Sequence, residues 1–260
     1  MTAQHFFVMY INHARRRAKK HLQKAITDMP DKTSLVRSYF DAIANRYDLM
    51  NTLLSFGLHH AWKKYTLKEA AINGDMHVLD VCGGTGDLAA LAARKLNNDS
   101  TVTLYDFSLE MMLAGRRRAQ KKPPAIQYIC GDAQFLALKD QQFDVLLIGF
   151  GLRNLADMNA GLREFQRVLK PGGRLVCLEF SQPTAPLLRR IYDIYSYRVI
   201  PVLGSLITGS REAYTYLPDS IRDFPAPKRL SQIIEQAGFT NVTYRLLTGG
   251  IAAIHTGIRQ

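Results

Sequence analysis

The chain has 260 residues, of which 47% are hydrophobic and 22% are charged. These proportions are ordinary for a globular protein, so they exclude disorder, collagen and coiled coil for the bulk of the chain. Lys and Arg number 34 against 22 Asp and Glu, and the net charge of +12 is expected to attract a polyanion, either nucleic acid or an anionic membrane surface. The three cysteines form neither a metal-binding nor a disulfide pattern, and no apolar stretch approaches the roughly 20 residues of a transmembrane helix, so a reducing cytoplasm is the expected compartment.

Residues 1–32 are predicted to be a basic extension that precedes a single domain over residues 33–260. The extension carries seven basic residues against two aspartates. It is either a flexible tail or an amphipathic helix that binds a surface.

Apolar residues recur at helical spacing from Thr33 to Tyr47, with Thr33 or Ser34 as the N-cap, and a second helix is predicted over His59–Ala71. These helices are expected to form a cap over residues 33–74. Buried strands then alternate with helices, which indicates βαβ units and a parallel sheet. The predicted strands are Val78–Cys82, Thr101–Tyr105, Ile126–Cys130, Phe143–Ile148 and Arg174–Phe180. The predicted helices between them are Leu88–Leu96, Ser108–Gln120 and a stripe from Leu155 to Leu169 that stops at Lys170-Pro-Gly-Gly173.

The C-terminal part departs from this alternation. An insertion over residues 182–224 is rich in aromatic residues and arginine and irregular in pattern, and it either lines a groove for an apolar chain or packs as a helical cap. A helix is then predicted to begin at Pro227 and to end at Gly238. Two final strands, Asn241–Leu247 and Gly250–Gly257, are predicted to form an antiparallel hairpin.

A glycine loop, Asp80-Val-Cys-Gly-Gly-Thr-Gly86, connects the first strand to its helix. Glycines let the backbone approach a ligand, and the helix N-terminus offers free N–H groups. Asp106 ends the next strand, where it can accept hydrogen bonds from two ribose hydroxyls. The constellation also satisfies the dinucleotide pattern G-x-G-x-x-A, so by itself it fits NAD as well as S-adenosylmethionine.

Three features favour S-adenosylmethionine. Asp80 would attract the cationic amine of an amino acid, whereas it would repel a pyrophosphate. Gly131-Asp132-Ala133 follows the third strand, where the aspartate can hydrogen-bond with an adenine. The chain ends with helix, strand, strand, as in a class I methyltransferase sheet of order 3-2-1-4-5-7-6 with strand 7 antiparallel. We therefore predict a Rossmann-like α/β fold with this seven-stranded sheet, N-terminal helices and a helical insertion after strand 5.

More specific strings run along the chain. They are Phe40-x-x-Ile43-Ala-x-x-Tyr47-Asp-x-Met50-Asn51, Leu53-x-Ser55-x-Gly57-x-x-x-x-Trp62-Lys63, Asp106-x-Ser108-x-x-Met111, Gly149-Phe-Gly-Leu-Arg-Asn154, Leu178-Glu-Phe-Ser181 and Tyr214-x-Tyr216-Leu-Pro-x-Ser220. With these strings the chain resembles the ubiquinone/menaquinone biosynthesis C-methyltransferase family, from about Val36 to Gly257. The Phe-Gly-Leu-Arg-Asn and Tyr-Asp-x-Met-Asn strings are the most specific, whereas the Lys-Pro-Gly-Gly turn is common to many methyltransferases.

The resemblance implies methyl transfer from S-adenosylmethionine to a ring carbon of a polyprenylated quinol, with S-adenosylhomocysteine as the product. By match to the family pattern, Thr85, Asp106, Asp132 and Ala133 contact the cofactor. Gly149 can act only through its backbone, because the family often has Ser or Thr there. No metal is expected, since the sulfonium already activates the methyl group. The full predicted cofactor site is Asp80, Gly83, Gly84, Thr85, Gly86, Asp106, Phe107, Asp132, Ala133 and Gly149.

The acceptor ring must be electron-rich, so we expect groups near it that polarise its hydroxyl or hold a water that takes its proton. Tyr47, Arg153 and Asn154 are the candidates. Arg153 is expected to stabilise a developing phenolate, and the alternative is that it only pairs with a carboxylate on the following helix. Tyr47 fits a place in the apolar core equally well, since it continues the helical stripe.

The insertion over residues 182–224 is expected to hold an apolar tail and to bring arginines to lipid head groups. This places the protein at the inner face of the membrane, as a peripheral protein of the cytoplasm. The sequence leaves open whether the substrate is a benzoquinol or a naphthoquinol. It also leaves open a homodimer or a quinone-biosynthesis complex.

Three other classes of function are weighed against this one. A nucleic-acid methyltransferase would explain the charge of +12, but neither an Asn/Asp-Pro-Pro-Tyr/Phe string nor a Pro-Cys nucleophile is present, so nucleic acid is not the expected partner. An NAD oxidoreductase shares only the glycine pattern. A binding protein without activity is disfavoured because Asp80, Gly84, Gly86 and Asp106 are all intact.

Overall fold

A central sheet of seven strands organises the fold. The structure, a computed structural model, describes residues 31–97, 100–118 and 126–260. The strand order is β3-β2-β1-β4-β5-β7-β6. Strands β1 to β5 pair in parallel, and β7 runs antiparallel to both of its neighbours. The strands are β1 His77–Val81, β2 Thr101–Asp106, β3 Ile126–Cys130, β4 Phe143–Gly149, β5 Leu169–Phe180, β6 Phe239–Leu247 and β7 Ala252–Arg259. The predicted sheet is thereby confirmed in order and in direction.

The central strands are apolar on both sides because helices cover both faces of the sheet. Neighbouring residues of β4 point to opposite faces. Val145 and Leu147 join one buried cluster, together with Trp62. Leu146 joins the other buried cluster, together with Phe165. Continuous apolar runs, rather than alternating ones, therefore mark these strands in the sequence.

Eight of the ten α-helices in the described residues fall into three groups. α3 and α4 pack on one face of the sheet, and α6 and α10 pack on the other. A third apolar cluster joins α1 and α2 to α8 and α9, away from the sheet. The helices are α1 Lys32–Ile43, α2 Tyr47–Leu54, α3 Leu58–Glu69, α4 Asp87–Ala93, α5 Leu109–Arg118, α6 Met158–Val168, α7 Pro186–Ile194, α8 Ile200–Thr208, α9 Arg211–Asp223 and α10 Pro227–Gln236.

The first helix differs from its prediction at both ends. It begins at Lys32, and Asp31 caps it by accepting the N–H of Ser34 at 2.7 Å, so the predicted N-cap at Thr33 or Ser34 is wrong. The carboxylate of the N-cap residue accepts a free N–H group of the first turn, so the two hydroxyl residues lie inside the helix. A 3₁₀ turn over Ala44–Arg46 separates this helix from α2, so the stripe that reaches Tyr47 is shared between two helices.

Strand β5 begins earlier than predicted. The chain leaves α6 at Val168 and pairs Leu169 with Phe143 at once, so Lys170-Pro-Gly-Gly173 lies within the strand's bounds. The register between β4 and β5 shifts between Phe143 and Val145, which accommodates the extra residues as a bulge. The predicted turn is thus an irregular part of the strand.

The insertion is helical, as predicted for the segment after strand 5. Its pattern looks irregular in the sequence because a π turn over Tyr195–Val199 joins α7 to α8, and Pro218 lies inside α9. A π turn adds a residue to the helical period and so rotates the apolar stripe. None of the helices in the described ranges combines the length and the hydropathy that crossing a bilayer requires.

The residues from Val36 to Gln260 form one compact unit. The predicted basic extension, residues 1–32, lies outside the described residues except for Asp31 and Lys32. Its two interpretations, a flexible tail and a surface-binding helix, stay predictions.

Candidate functional site

The glycine loop lies at the carboxyl end of β1. Gly84 and Gly86 have φ of +54° and +80°, in the left-handed region that favours glycine, and Gly86 is the residue that precedes α4. All the predicted cofactor residues lie at or just beyond the carboxyl ends of β1, β2, β3 and β4. This edge of a parallel sheet, at the point where the strand order reverses, is where open α/β folds bind ligands.

Asp106 fixes the shape of this loop. Its two carboxylate oxygens accept the backbone N–H groups of Gly84 and Ser108, each at 2.8 Å. Burial raises the pKa of Asp106 to about 6, against the lowering effect of these N–H groups. Because a carboxylate has about four lone-pair positions, two remain for the hydroxyls of a ribose.

The surroundings of the Asp80 carboxylate show whether a cationic ligand would fit the site. Its side chain is buried, and Oδ2 accepts the N–H of Ala89 at 2.9 Å. Oδ1 is buried too and finds no hydrogen-bond partner among the described residues. Burial raises the pKa of Asp80 to about 7. A buried carboxylate oxygen that lacks a donor favours a positively charged group, so the site fits the ammonium of an amino acid.

The remaining cofactor residues complete the same edge. The carboxylate of Asp132 accepts the backbone N–H of Gln134 at 2.8 Å, and Ala133 beside it is buried. Phe107 is half-buried. At Gly149, where the resemblance suggests Ser or Thr, an added Cβ would lie 2.7 Å from Leu88 Cδ1, the tip of a side chain that would have to shift.

The N-terminal helices are tied to the glycine loop by charged and polar contacts that the sequence did not reveal. Thr85 Oγ1 donates to Asp48 Oδ1 of α2 at 2.7 Å. Lys63 Nζ of α3 lies 2.6 Å from Asp87 Oδ2. Arg118, at the end of α5, pairs with both aspartates. These contacts hold α2 and α3 over the carboxyl edge of the sheet.

A close approach between α5 and the loop fixes their spacing. At Gly115 an added Cβ would lie only 2.1 Å from the carbonyl oxygen of Thr85. Glycine is therefore required here by distance. The requirement for glycine at position 115 is visible only from the contact between the helix and the loop, because the sequence around Gly115 is otherwise ordinary for a helix.

Next to this edge lies a cavity of about 400 Å³. Its walls come from α1, α2 and α3, from the segment after β4, and from α7, α8 and α9. The lining is mostly aromatic and aliphatic. It includes Tyr39, Phe40, Tyr47, Trp62, Phe150, Phe180, Leu188, Ile191, Tyr192, Ile200, Tyr214 and Tyr216. The carboxyl edge of β1 to β4, which carries the predicted cofactor residues, is the cofactor edge. The cavity adjoins it along the chain, because Tyr47 precedes Asp48 and Phe150 follows Gly149.

Arg153 is the principal charged group of the cavity wall. Its side chain is 6% exposed, and its Nη1 lies 2.9 Å from Glu179 Oε1 and 2.6 Å from the carbonyl oxygen of Phe150. The guanidinium also lies over the ring of Phe180, 5.2 Å from the centroid. Arg153 thus has a carboxylate partner, but on β5 and not on the following helix, so the predicted location of that partner is wrong.

Glu179 is a residue that the sequence analysis missed as part of the site. It lies near the end of β5 with 1% of its surface exposed. Burial raises its pKa to about 7, although Arg153 acts in the opposite direction. A single acidic residue in the otherwise apolar run Leu175–Phe180 is the signal that could have identified it.

The two other predicted catalytic residues occupy different places. Tyr47 lies in the cavity wall, with its ring 5.9 Å from that of Phe40. Asn154 is buried beside the wall: its Nδ2 donates to the carbonyl oxygen of Phe150 at 3.1 Å, and its Oδ1 accepts from Tyr216 at 3.2 Å. The structure therefore brings Tyr47 and Arg153 to one cavity, with Asn154 supporting the side chains around it.

The sheet order, the glycine loop and the two buried aspartates together define a class I S-adenosylmethionine-dependent methyltransferase. Residues 22–259 match the model of the ubiE/COQ5 methyltransferase family, and the chain belongs to that family. The predicted fold class, cofactor and enzyme class are confirmed.

Individual relatives agree with this assignment. The ubiquinone/menaquinone biosynthesis C-methyltransferase UbiE of Shewanella halifaxensis is 42% identical over 230 residues, which cover 88% of this chain and 92% of the relative. The protein of the same name from Methylobacterium nodulans is 45% identical over 232 residues, with the same coverage of 88% and 92%. A crystal structure of a SAM-dependent methyltransferase from Aquifex aeolicus shares the fold at 18% identity, with a TM-score of 0.57 over 76% of this chain and 89% of that chain.

Proposed function

We propose that this enzyme transfers a methyl group from S-adenosylmethionine to a ring carbon of a polyprenylated quinol, in menaquinone or ubiquinone biosynthesis. The observation that carries the proposal is the apolar, aromatic-lined cavity beside the cofactor edge, with the Arg153–Glu179 pair in its wall. The names of the relatives at 42% and 45% identity support the same substrate class. A cavity of this kind suits a flat ring that carries two hydroxyls and a long hydrocarbon tail.

The residues at the carboxyl edge of the sheet are proposed to hold the cofactor. Asp106 accepts from the ribose hydroxyls, Asp80 Oδ1 accepts from the ammonium, and Asp132 and Ala133 flank the adenine. The backbone of the glycine loop, with Thr85, encloses the methionine part, while Phe107 and Gly149 line the remaining sides. When bound, the cofactor supplies a methyl group already activated by its sulfonium.

The cavity wall is proposed to orient and activate the acceptor ring. The guanidinium of Arg153 stabilises the negative charge that a ring oxygen takes up when the ring loses a proton, in a cavity whose lining is mostly apolar. Tyr47 polarises a ring hydroxyl from the opposite group of helices. Asn154 positions the backbone of Phe150 and the hydroxyl of Tyr216 and so keeps the wall in place. Holding the ring carbon in line with the methyl group supplies much of the rate enhancement.

A methyl-transfer assay tests the function directly. Labelled S-adenosylmethionine is offered with demethylmenaquinol and with 2-methoxy-6-polyprenyl-1,4-benzoquinol in separate reactions under reducing conditions. We expect label on at least one of the two rings, and the labelled ring identifies the pathway. Label on neither ring, with cofactor binding intact, would overturn the proposed acceptor and make RNA the next one to try.

We further propose that the enzyme works as a peripheral protein on the anionic inner face of the membrane. Large apolar side chains are exposed on α7 and α8, with Leu187 73% and Leu206 77% exposed. Phe56, in the turn before α3, is 80% exposed, and the same segments line the cavity. Arg189 and Arg190 lie on α7, where each basic side chain near anionic lipid contributes on the order of 1 kcal/mol.

Vesicle flotation tests this surface. The wild type should float with anionic vesicles at low salt, and the double variant Leu187→Ser/Leu206→Ser should float several-fold less. Leu246→Ser is the matched control, because Leu246 is 40% exposed on β6 and outside the insertion. Equal flotation of wild type and double variant would refute the membrane surface. Light scattering of the same samples distinguishes a monomer from the homodimer or larger assembly that the sequence analysis left open.

A further inference from the structure

A buried histidine lies in the wall of the acceptor cavity and has no part in the mechanism so far. His59 is the second residue of α3, is 3% exposed and lines the cavity. Its Nδ1 lies 2.8 Å from the hydroxyl oxygen of Ser55. No hydrogen bond to its Nε2 is found in the described part of the chain.

The contacts of Ser55 decide which ring nitrogen carries the proton. Ser55 Oγ lies 2.6 Å from the carbonyl oxygen of Asn51, which can only accept. A hydroxyl has one proton to donate, so it goes to that carbonyl. Ser55 Oγ must then accept from His59, and Nδ1 is the nitrogen that bears hydrogen. The lone pair of the neutral ring is left on Nε2.

The surroundings keep this ring neutral. Burial, followed by the charges of Lys63 and His60, lowers the pKa of His59 to about 4. The charge of Asp87 raises the pKa of His59, but the Asp87 carboxylate is paired with Lys63 Nζ at 2.6 Å. At neutral pH His59 is therefore an acceptor in a cavity whose lining is mostly apolar.

We propose that Nε2 of His59 accepts the ring hydroxyl of the quinol and takes its proton when the ring is methylated. The inference rests on the proposed function. A lone pair in an apolar wall selects for a hydroxyl and against an ether or an unsubstituted carbon, because only the hydroxyl can donate. His59 thereby becomes a catalytic residue alongside Arg153 and Tyr47.

Proton transfers accompany the methylation of the ring. As the bond between the ring carbon and the methyl group forms and the bond between that methyl group and sulfur breaks, positive charge spreads from the ring to the hydroxyl oxygen. The O–H proton passes to Nε2 and leaves a methylated dienone. The tetrahedral ring carbon then loses its hydrogen to water as a proton, while Nε2 returns its proton to the carbonyl oxygen. One proton is released for each methyl group transferred. A weak base suffices, because the hydroxyl of a cationic ring is far more acidic than that of a phenol.

Two variants separate the roles of the two ring nitrogens. In His59→Asn the side-chain amide nitrogen takes the place of Nδ1 and keeps the donor to Ser55, but nothing replaces Nε2. In His59→Gln the longer side chain brings an amide oxygen to the place of Nε2, where it can accept a hydrogen bond but cannot take a proton. His60→Asn is the matched control, because His60 is the exposed neighbour whose ring lies 3.8 Å from that of His59.

Binding is read from Trp62, the single tryptophan of the chain, which lines the same cavity. Quenching of its fluorescence is titrated with a short-tailed naphthoquinol and with its dimethyl ether, without cofactor and under reducing conditions. The wild type and His60→Asn should bind the quinol roughly threefold to tenfold more tightly than the ether. His59→Asn should lose that preference, and His59→Gln should retain it.

Turnover completes the test. Both His59 variants should lower kcat by roughly 100-fold while binding S-adenosylhomocysteine as the wild type does. A His59→Asn variant that keeps the hydroxyl preference or the wild-type kcat would refute the role of Nε2. Loss of S-adenosylhomocysteine binding in that variant would show that His59 supports the fold instead, and would also refute it. A wild type that methylates neither quinol refutes the proposed function itself, which is a separate outcome.

Discussion

The cofactor edge and the acceptor cavity lie side by side but are built in opposite ways. The cofactor edge consists of short loops on neighbouring parallel strands, and its polar groups are backbone N–H groups and buried carboxylates such as Asp80 and Asp106. The cavity is enclosed by helices from two distant parts of the chain, α1–α3 and α7–α9, and its lining is mostly apolar. Under the proposed function, the first region holds a polar ligand by fixed hydrogen bonds, and the second holds an apolar ligand by shape.

This difference separates the part of the enzyme that is shared with other methyltransferases, the sheet, from the part that is not, the cavity. The sheet and its order are shared with a methyltransferase only 18% identical to this chain. The cavity is lined in part by residues of the strings Tyr47-Asp-x-Met50-Asn51 and Gly149-Phe-Gly-Leu-Arg-Asn154, on which the resemblance to the family rests. Changes at the cofactor edge should therefore alter cofactor affinity, and changes in the cavity wall should alter turnover with little effect on cofactor affinity.

The largest effect is expected at Arg153. Arg153→Met removes the guanidinium from the cavity wall, and turnover should fall roughly 100- to 1000-fold, the range that follows loss of one oxyanion donor. Affinity for S-adenosylhomocysteine, measured by calorimetry, should stay near the wild-type value. A large loss of that affinity would show that the two regions are not separate.

A double variant distinguishes action on the substrate from pairing with Glu179. Removing one partner of a buried ion pair costs about 3–5 kcal/mol, because the other charge stays buried. Arg153→Met/Glu179→Gln removes both charges and should restore the melting temperature. Turnover should remain low in this variant if Arg153 acts on the ring. Recovery of turnover together with stability would assign Arg153 to the pair alone.

A smaller and opposite effect is expected from Gly115→Ala. The new Cβ would lie 2.1 Å from the carbonyl oxygen of Thr85, so α5 and the glycine loop must move apart. Such overpacking costs about 1–3 kcal/mol, which corresponds to roughly fivefold to 140-fold weaker cofactor binding where it falls on the bound loop. Calorimetry with S-adenosylhomocysteine measures it, and quenching of Trp62 by a quinone should be unchanged. Glu110→Ala, an exposed change on the same helix, is the control.

The same contrast explains what the sequence could predict. Strands β1 to β4 were predicted to within a residue or so at each end, because buried parallel strands are continuous apolar runs of short length. The cofactor residues follow those strands at fixed places, so locating the strands locates Asp80, Asp106 and Asp132. The local sequence pattern is therefore sufficient to predict site residues that lie in loops directly after predicted strands.

The cavity could be predicted only in part, because its contacts join residues far apart in the chain. Arg153 meets Glu179 since β4 and β5 are neighbours in the sheet, and no local spacing encodes that pairing. Ser55 and His59 lie one helical turn apart and could have been noticed, but only the third contact, to Asn51, fixes the tautomer. The π turn over Tyr195–Val199 interrupts the helical period of the insertion, so the sequence pattern there did not indicate two helices.

The smallest predicted effect is a pH dependence of stability and of cofactor affinity. Burial raises the pKa of Asp80 from its ordinary value of 3.8 to about 7, so between about pH 4 and pH 7 the folded chain keeps a proton that the unfolded chain has lost. Stability without ligand therefore falls as the pH rises through this window. Asp106 and Glu179, with pKa values raised to about 6 and about 7, contribute in the same direction.

The cofactor reverses the sign for affinity. A bound ammonium favours the ionised carboxylate of Asp80, so binding must displace its proton at low pH and affinity should rise roughly tenfold from pH 6 to pH 7.5. Calorimetry with S-adenosylhomocysteine across this range measures the rise, and Asp80→Asn should flatten it because an amide has no proton to release. Quenching of Trp62 by the short-tailed naphthoquinol should change little over the same range, since His59 stays neutral above its pKa of about 4. Glu179, with its pKa of about 7, pairs with Arg153 and is not among the residues that line the cavity. If the affinities for both ligands rose in parallel, one buried network would titrate for both regions. The cofactor edge and the cavity would then be separate in position but coupled in function.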